Sequence, residues 1–333
     1  MNRRLVALTA LAALTLTAGC IPTAVNTGAW DHDNDNNAET DPQTPDCLTH
    51  ETGYMEVTTD NAVINRLCLD GGTLEIRADN VTVKNSVLTG DLDNSYWTPL
   101  VVNASATGTV IKFNDIDCAG DVATDPTDGS TGLIGANYTA EWNEIRNCEN
   151  GVHLGANVHF LHNWIGLPDT DNEALHADGV QMTGDADDFI FEWNTVDYPL
   201  SSAAFQFHTS AGDQNENGIV RYNRLIGGAS VLRVPGDNQS CQPPNPTCGP
   251  WDGNQVHGNR IMNDEGWFFC TGNPTSIEVW GTEAAFDVNG MNGIEQQEID
   301  IQRNVVDSGD DADTELVWSA RSTDGPDACE LAS

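Results

Sequence analysis

Eight short segments of the chain share one pattern: apolar, any, apolar, any, any, Asn, any, apolar. The copies are VTVKNSVL (81–88), TVIKFNDI (109–116), YTAEWNEI (138–145), VHFLHNWI (158–165), FIFEWNTV (189–196), GIVRYNRL (218–225), NQVHGNRI (254–261) and IDIQRNVV (299–306). The first position is the least faithful. The sixth holds Ser86, then Asn114, Asn143, Asn163, Asn194, Asn223, Asn259 and Asn304, at spacings of 28, 29, 20, 31, 29, 36 and 45 residues. Period-two alternation that returns after twenty residues or more, with turns between, describes the coils of a parallel β-solenoid. Its apolar positions point inward and stack on their equivalents about 4.8 Å away in the next coil. The Asn suits a tight corner, because it tolerates left-handed backbone and its amide bonds to the Asn above and below.

Two further positions define the outside. Position four holds Lys84, Lys112, Glu141, Leu161, Glu192, Arg221, His257 and Gln302, mostly charged or polar, and so faces water. Position five holds Asn85, Phe113, Trp142, His162, Trp193, Tyr222, Gly258 and Arg303. Five consecutive coils thus set rings beside the Asn corner. They are expected to form a half-buried structural stack, each adjacent pair contributing about 0.5–1.5 kcal/mol.

With this repeat, and with the stretch His176-Ala177-Asp178-Gly179-Val180-Gln181, the chain resembles the right-handed parallel β-helix proteins of the pectin-lyase-like superfamily. The likeness is to the exported bacterial type carrying H-x-D-G-[IV]-Q, and it covers about residues 55 to 310. It implies an all-β fold of about eight coils with an Asn ladder. It also implies that polysaccharide lies, and is cut, on one sheet face. Such a fold hosts lyases, hydrolases, esterases and non-catalytic adhesins, so activity has to be argued from the site.

The N-terminus divides the chain. Arg3 and Arg4 precede an apolar run, Leu5 to Leu16, shorter than a bilayer span needs, which is the anatomy of an export signal. Thr17-Ala18-Gly19-Cys20 resembles a lipobox, whose Cys is acylated. The expected organisation is a lipoprotein signal peptide over 1–19, lipidated Cys20 with a disordered acidic tether over 20–46, and one β-helix domain over 47–333. The protein would then be anchored to the cell membrane or outer membrane, facing the periplasm or extracellular space. A monomer is expected.

The formal charge is −38, and Lys84 and Lys112 are the only lysines. Nucleic acid and anionic membrane surfaces are poor partners for such a chain. Scarce Lys with abundant Asp points to a saline habitat, where salt screens self-repulsion, or to a hard cation such as Ca²⁺. Beyond Cys20 there are eight cysteines, an even number in an exported chain, and disulfides are the default. Cys118 and Cys148 fall four and five residues after the Asn of adjacent coils and are expected to bond. Cys241–Cys248 closes its own loop, and Cys47–Cys68 and Cys270–Cys329 remain for the two ends.

Residues 143–163 form a minimal coil over which its neighbours can be laid. First strands then fall at Gly132–Gly135, Gly151–Gly155, Gly179–Thr183, Ala204–His208 and Ser230–Val234, and extra residues become loops walling a groove. His153, Gln181 and Gln206 are expected to form an outward column, with His176, Asp178, His208 and Arg233 around it. Several polar groups converging between raised loops make a candidate site.

The function expected from this is an exported polysaccharide lyase acting on a uronate-containing glycan. Arg233, Gln181, Gln206 or an Asp178-bound Ca²⁺ would neutralise the uronate, and His176 or His208 would remove the C5 proton. A hydrolase would instead pair Asp178 with Glu173, Asp187 or Asp213 at a fixed separation. A glycan-binding adhesin without turnover is the other alternative.

Overall fold

The computed structural model describes residues 47–90, 98–118, 130–166, 177–182, 186–198, 203–206, 216–227, 230–235, 254–262, 277–280, 300–302, 305–306, 316–317 and 330–331. Their strands build three parallel sheets of nine, nine and ten strands, each strand paired with its equivalents in the neighbouring coils, and Leu316–Val317 pairs antiparallel with Glu330–Leu331 apart from them. This is a right-handed parallel β-helix. Each coil contributes a first, a second and a third strand, one to each sheet. In one central coil these are Asn150–Leu154, His159–Leu161 and Trp164–Gly166.

The repeat sequences are the second and third strands. The described residues hold nine such triplets. The first of them, Met55–Val57, Val63–Asn65 and Leu67–Asp70, carries Leu67 at the Asn position and so escapes the template. Inward residues of every coil fill the bore. Val152, Phe160 and Ile165 of one coil lie on Val180, Phe191 and Val196 of the next, all fully buried. Burying each such side chain contributes about 1.5–3 kcal/mol. The Phe160 and Phe191 rings stack 5.3 Å apart, and Phe205 meets Phe191 edge-on at 5.1 Å.

The corner between second and third strands carries the Asn ladder. Each Asn Oδ1 accepts the backbone N–H of its counterpart one coil earlier: Asn114 from Ser86 at 3.0 Å, Asn143 from Asn114 at 3.1 Å, Asn163 from Asn143 at 2.9 Å. Asn194, Asn223 and Asn259 continue the series at 2.8, 2.8 and 3.0 Å. Each Nδ2 reaches back to a second-strand carbonyl, as Asn143 does to Ile111 at 3.0 Å. All are buried. Asn304 lies outside the described residues.

The left-handed residue at this corner is not the Asn. It is the residue before it: Asn85 (φ 50°), Phe113 (57°), Trp142 (58°), His162 (56°), Trp193 (60°) and Tyr222 (59°), with Gly258 at 67°. Bulky side chains rarely take this conformation, which costs about 1–3 kcal/mol each. Here it turns the Asn side chain inward and throws the preceding ring outward, where the rings support one another. Trp142 stacks on His162 at 4.4 Å, His162 on Trp193 at 6.3 Å, and Trp193 lies 4.7 Å from Tyr222. Trp142, His162, Trp193 and Tyr222 are half-buried, while Phe113 is exposed.

A second left-handed ladder runs along the corner between first and second strands: Asn61, Asn80, Gly108, Asn137, Asn157, Asp188 and Asn217, with φ between 54° and 71°. Each stands immediately before a second-strand segment. Backbone bonds link the rungs, for example from Asn157 N to the Asp187 carbonyl at 2.8 Å. Two disulfides tie coils together, Cys47–Cys68 and Cys118–Cys148, with Cα separations of 5.6 and 5.0 Å. Cys241, Cys248, Cys270 and Cys329 lie outside the described residues.

Candidate functional site

One continuous register line runs along the first sheet, and its positions face outward as far as Gln206. From the N-terminal end, the register aligns Glu56, Glu75, Val101, Ile134, His153, Gln181, Gln206, Arg233 and Glu278. His153 stands half-buried between fully buried Val152 and Leu154, Gln181 stands likewise between Val180 and Met182, and Gln206 follows buried Phe205. At about 4.8 Å per rung, the three rungs from His153 to Arg233 span roughly 14 Å. The column begins in a charged cluster: Arg77 bonds Glu75 at 2.7 Å and Glu56 at 2.9 Å, and the Tyr54 hydroxyl donates to Glu75. The Arg77 hydrogen bond, with that of Tyr54, holds the Glu75 carboxyl below its usual range.

Period-two alternation breaks just before the column. Gly132, Gly151, Gly179 and Ala204 fall in one register line, and these positions face the interior although the next residue does too. A Cβ at Gly151 would lie 2.5 Å from the Gly179 carbonyl oxygen, and one at Gly179 would lie 2.5 Å from that of Ala204. Only the smallest residues let these strands approach. The consequence falls on Asp178, the residue before Gly179, which is fully buried.

Asp178 is held from two neighbouring coils. Its backbone N–H donates to Asn150 Oδ1 at 3.2 Å in the coil before. From the coil after, the end of the Gln206 amide lies 2.7 Å from Oδ2 and 3.1 Å from Oδ1, and with the amide oriented to satisfy both groups its nitrogen donates to them. Beneath lies Tyr198, also fully buried, whose hydroxyl donates to the Cys148 carbonyl at 3.1 Å. Burial pushes the Tyr198 phenol far above its ordinary range, and the charges of Asp178 and Glu149 push it further. A buried carboxylate is expensive unless its oxygens are bonded, and Gln206 meets that requirement.

The structure thus puts His153, Gln181, Gln206 and Arg233 on one line and sets Asp178 behind Gln206. His176 and His208 lie outside the described residues, as do Glu173, Asp213 and the segments 119–129, 167–176, 207–215 and 236–253. Asp187 sits at the corner after the first strand, where Oδ1 accepts the Glu216 N–H at 2.8 Å. Among the described residues, Cys47, His50 and Cys68 have metal-ligand spacing, but two of the three are joined in a disulfide. The contact between Gln206 and Asp178 joins residues 28 positions apart in adjacent coils, and nothing in the local sequence announces it.

No protein-family model and no curated protein matches the sequence. Among solved structures the chain is similar to the Dettilon tailspike protein (gp208), with 15% identity and a TM-score of 0.36, over 70% of this chain and 52% of that one. The chain therefore spans about half the length of that protein. The fold assignment rests on the strand register above.

Proposed function

We propose that this protein holds a polysaccharide along the outward column of its first sheet, as an exported surface protein tethered through Cys20. The observation that carries the reading is the column itself: an imidazole and two amides, His153, Gln181 and Gln206, in consecutive rungs on a rigid sheet. Val101 and Ile134 supply an apolar approach on one side, and the rung of Arg233 follows on the other. Repeated, evenly spaced, mostly uncharged hydrogen-bonding groups suit a repetitive, hydroxyl-rich polymer better than a compact ligand. Among the described residues no helix is long and apolar enough to cross a membrane, so the tether carries the anchoring in this reading.

A second reading is the uronate lyase, favoured by an imidazole in the same column as the Arg233 rung. His153 itself lies roughly 14 Å from that rung, farther than one sugar reaches. The elimination would therefore fall to His208, or to His176. One experiment separates the two. The purified protein is tested on neutral and uronate-containing polysaccharides for retention and for the ultraviolet absorbance of an unsaturated uronate product. Retention without new absorbance or new reducing ends supports the binding protein. Absorbance lost in His208→Ala or His176→Ala establishes the lyase, and absence of both retention and turnover refutes the glycan reading.

A further inference from the structure

We propose that the acidic segment 39–46 docks on the outward face of the second sheet, at Lys84 and Lys112, and ties the root of the tether to the fold. These are the only lysines in a chain whose formal charge is −38. The register sets them in consecutive rungs, directly after Asn65, so their backbones lie about 4.8 Å apart. Like charges in opposed positions repel. Both side chains are half-buried, where salt screens them less than on an open surface. Arginines on the described faces have carboxylate partners: Arg77 has Glu56 and Glu75, Arg146 has Asp115 and Asp117, and Arg221 has Glu192. Neither lysine joins an ion pair among the described residues. Glu141 follows Lys112 by one rung without closing such a pair. The Lys112 ammonium instead stands 5.9 Å from the centre of the exposed Phe113 ring. Two adjacent lysines in a chain with 51 acidic residues thus form an anion site that the sheet itself does not fill.

The chain enters the fold at the head of this line. Thr49 aligns with Leu67, and the Leu48 and Thr49 N–H groups both donate to the Arg66 carbonyl, at 2.8 and 3.3 Å. The same register carried back from Thr49 sets Cys47 one rung before Asn65, where the Cys47–Cys68 bridge pins it. Lys84 then lies roughly 10 Å from the entry point and Lys112 roughly 14 Å. Before Cys47 the sequence reads Glu39-Thr40-Asp41-Pro42-Gln43-Thr44-Pro45-Asp46, with three carboxylates and no cation. Pro42 and Pro45 favour extended backbone, which advances about 3.1 Å per residue, so Asp41 can reach roughly 19 Å from Cys47. That covers Lys112 with slack, and Glu39 reaches further. A covalently attached segment docks at an effective concentration in the millimolar range, against which a free anion has to compete. A second copy of the chain brings the same net charge and meets repulsion over most of its surface. Docking also sets the length of the leash: with 39–46 held, only residues 21–38 separate the fold from Cys20 in the anchored reading.

Zero-length carbodiimide coupling of the purified full chain tests this, because amide bonds to lysine can form only at Lys84 and Lys112. Isotopically labelled and unlabelled protein are mixed and coupled at low and at molar salt, and the joined peptides are mapped by mass spectrometry. The expected product joins Lys84 or Lys112 to Glu39, Asp41 or Asp46 of the same chain. Its yield falls about threefold or more at molar salt, where the screening length shrinks to about 3 Å. Cleavage after Glu39 by a glutamate-specific protease is the second readout. Lys84→Gln/Lys112→Gln should speed it about threefold or more, the effect of removing two surface ion pairs. Glu39→Gln/Asp41→Asn/Asp46→Asn changes no residue of the coils and should abolish the coupling. Products that join a labelled to an unlabelled chain assign the site to a second copy and overturn the proposal. Coupling confined to Glu141 or to other carboxylates outside 39–46, coupling indifferent to salt, or no coupling at all also overturns it, as do equal protease rates in the wild type and the lysine variant. None of these results bears on the glycan reading, which rests on the first sheet.

Discussion

Replacing Asn163 with Ala removes one rung of the ladder at the centre of the fold, and its cost can be worked from the bonds it makes. Asn163 Oδ1 accepts the Asn143 backbone N–H at 2.9 Å and Asn143 Nδ2 at 2.9 Å. Its Nδ2 donates to the Ala140 and Leu161 carbonyls, both at 3.0 Å, and to Asn194 Oδ1 at 3.2 Å. Asn143 Nδ2 keeps the Ile111 carbonyl, and the Leu161 carbonyl keeps the Trp142 N–H. The Asn143 N–H loses the acceptor that closes the corner, a buried donor left open at about 1–3 kcal/mol. Adding about 0.5–1.5 kcal/mol for each of the four other lost bonds gives a total of roughly 3–9 kcal/mol, with the small void on top. Urea unfolding followed by circular dichroism measures it. The first rung provides an internal control, because Ser86 Oγ accepts the Leu67 N–H at 3.1 Å. Asn163→Ser should therefore satisfy the same donor and cost only about 1–2 kcal/mol. Equal losses in the two variants, or a loss under about 1 kcal/mol in Asn163→Ala, would refute the reasoning.

Other substitutions test other parts of the account. Gly179→Ala places a methyl group against Val196 and the Ala204 carbonyl and should destabilise by about 1–3 kcal/mol; denaturant midpoints without a change in slope would show it. The Tyr138 hydroxyl is buried without a partner among the described residues, so Tyr138→Phe should raise stability by about 1 kcal/mol, read as a higher melting temperature. Removing the Cys118–Cys148 bridge, which closes 30 residues, should cost roughly 3–4 kcal/mol on chain entropy, checked by comparing Cys118→Ala/Cys148→Ala with the parent under non-reducing conditions. Glu75 has a depressed folded-state pKa, chiefly from its Arg77 hydrogen bond. Its contribution is therefore present above the unfolded value near ~4.3 and lost as pH falls through the lower folded value. Melting curves from neutral to acid pH should lose less in Glu75→Gln than in the wild type across that window.

The fold was legible because a solenoid writes its geometry once per coil. The inward positions and the Asn line repeat in register, so eight weak signals added. The same logic, applied one residue further upstream, would have exposed the other ladder: Asn80, Gly108, Asn137, Asn157, Asp188 and Asn217 each precede a template copy. The mechanism of the Asn corner was not legible. Asn is the residue type that tolerates left-handed backbone, yet the chain puts Trp142, His162, Trp193 and Tyr222 there, because only that turn aims the Asn amide down the ladder. The column His153, Gln181 and Gln206 followed from alternation, and the register adds the Arg233 rung to the same line. Asp178 did not: alternation assumes a regular strand, and at Gly179 and Val180 two successive residues turn inward. A carboxylate that reads as a surface ligand is drawn into the wall, and its partner arrives from a coil 28 residues later.

The central claim is that polysaccharide lies along the outward face of the first sheet, and hydroxyl-radical footprinting tests it most directly. The protein is oxidised with and without a retained glycan, and modification is read residue by residue by mass spectrometry. The account predicts that His153 on the column becomes protected while Trp193 and Tyr222, in the ring stack at the Asn corner, keep their reactivity. Protection of Trp193 and Tyr222 with His153 unchanged would contradict it and move the glycan to the stacked rings.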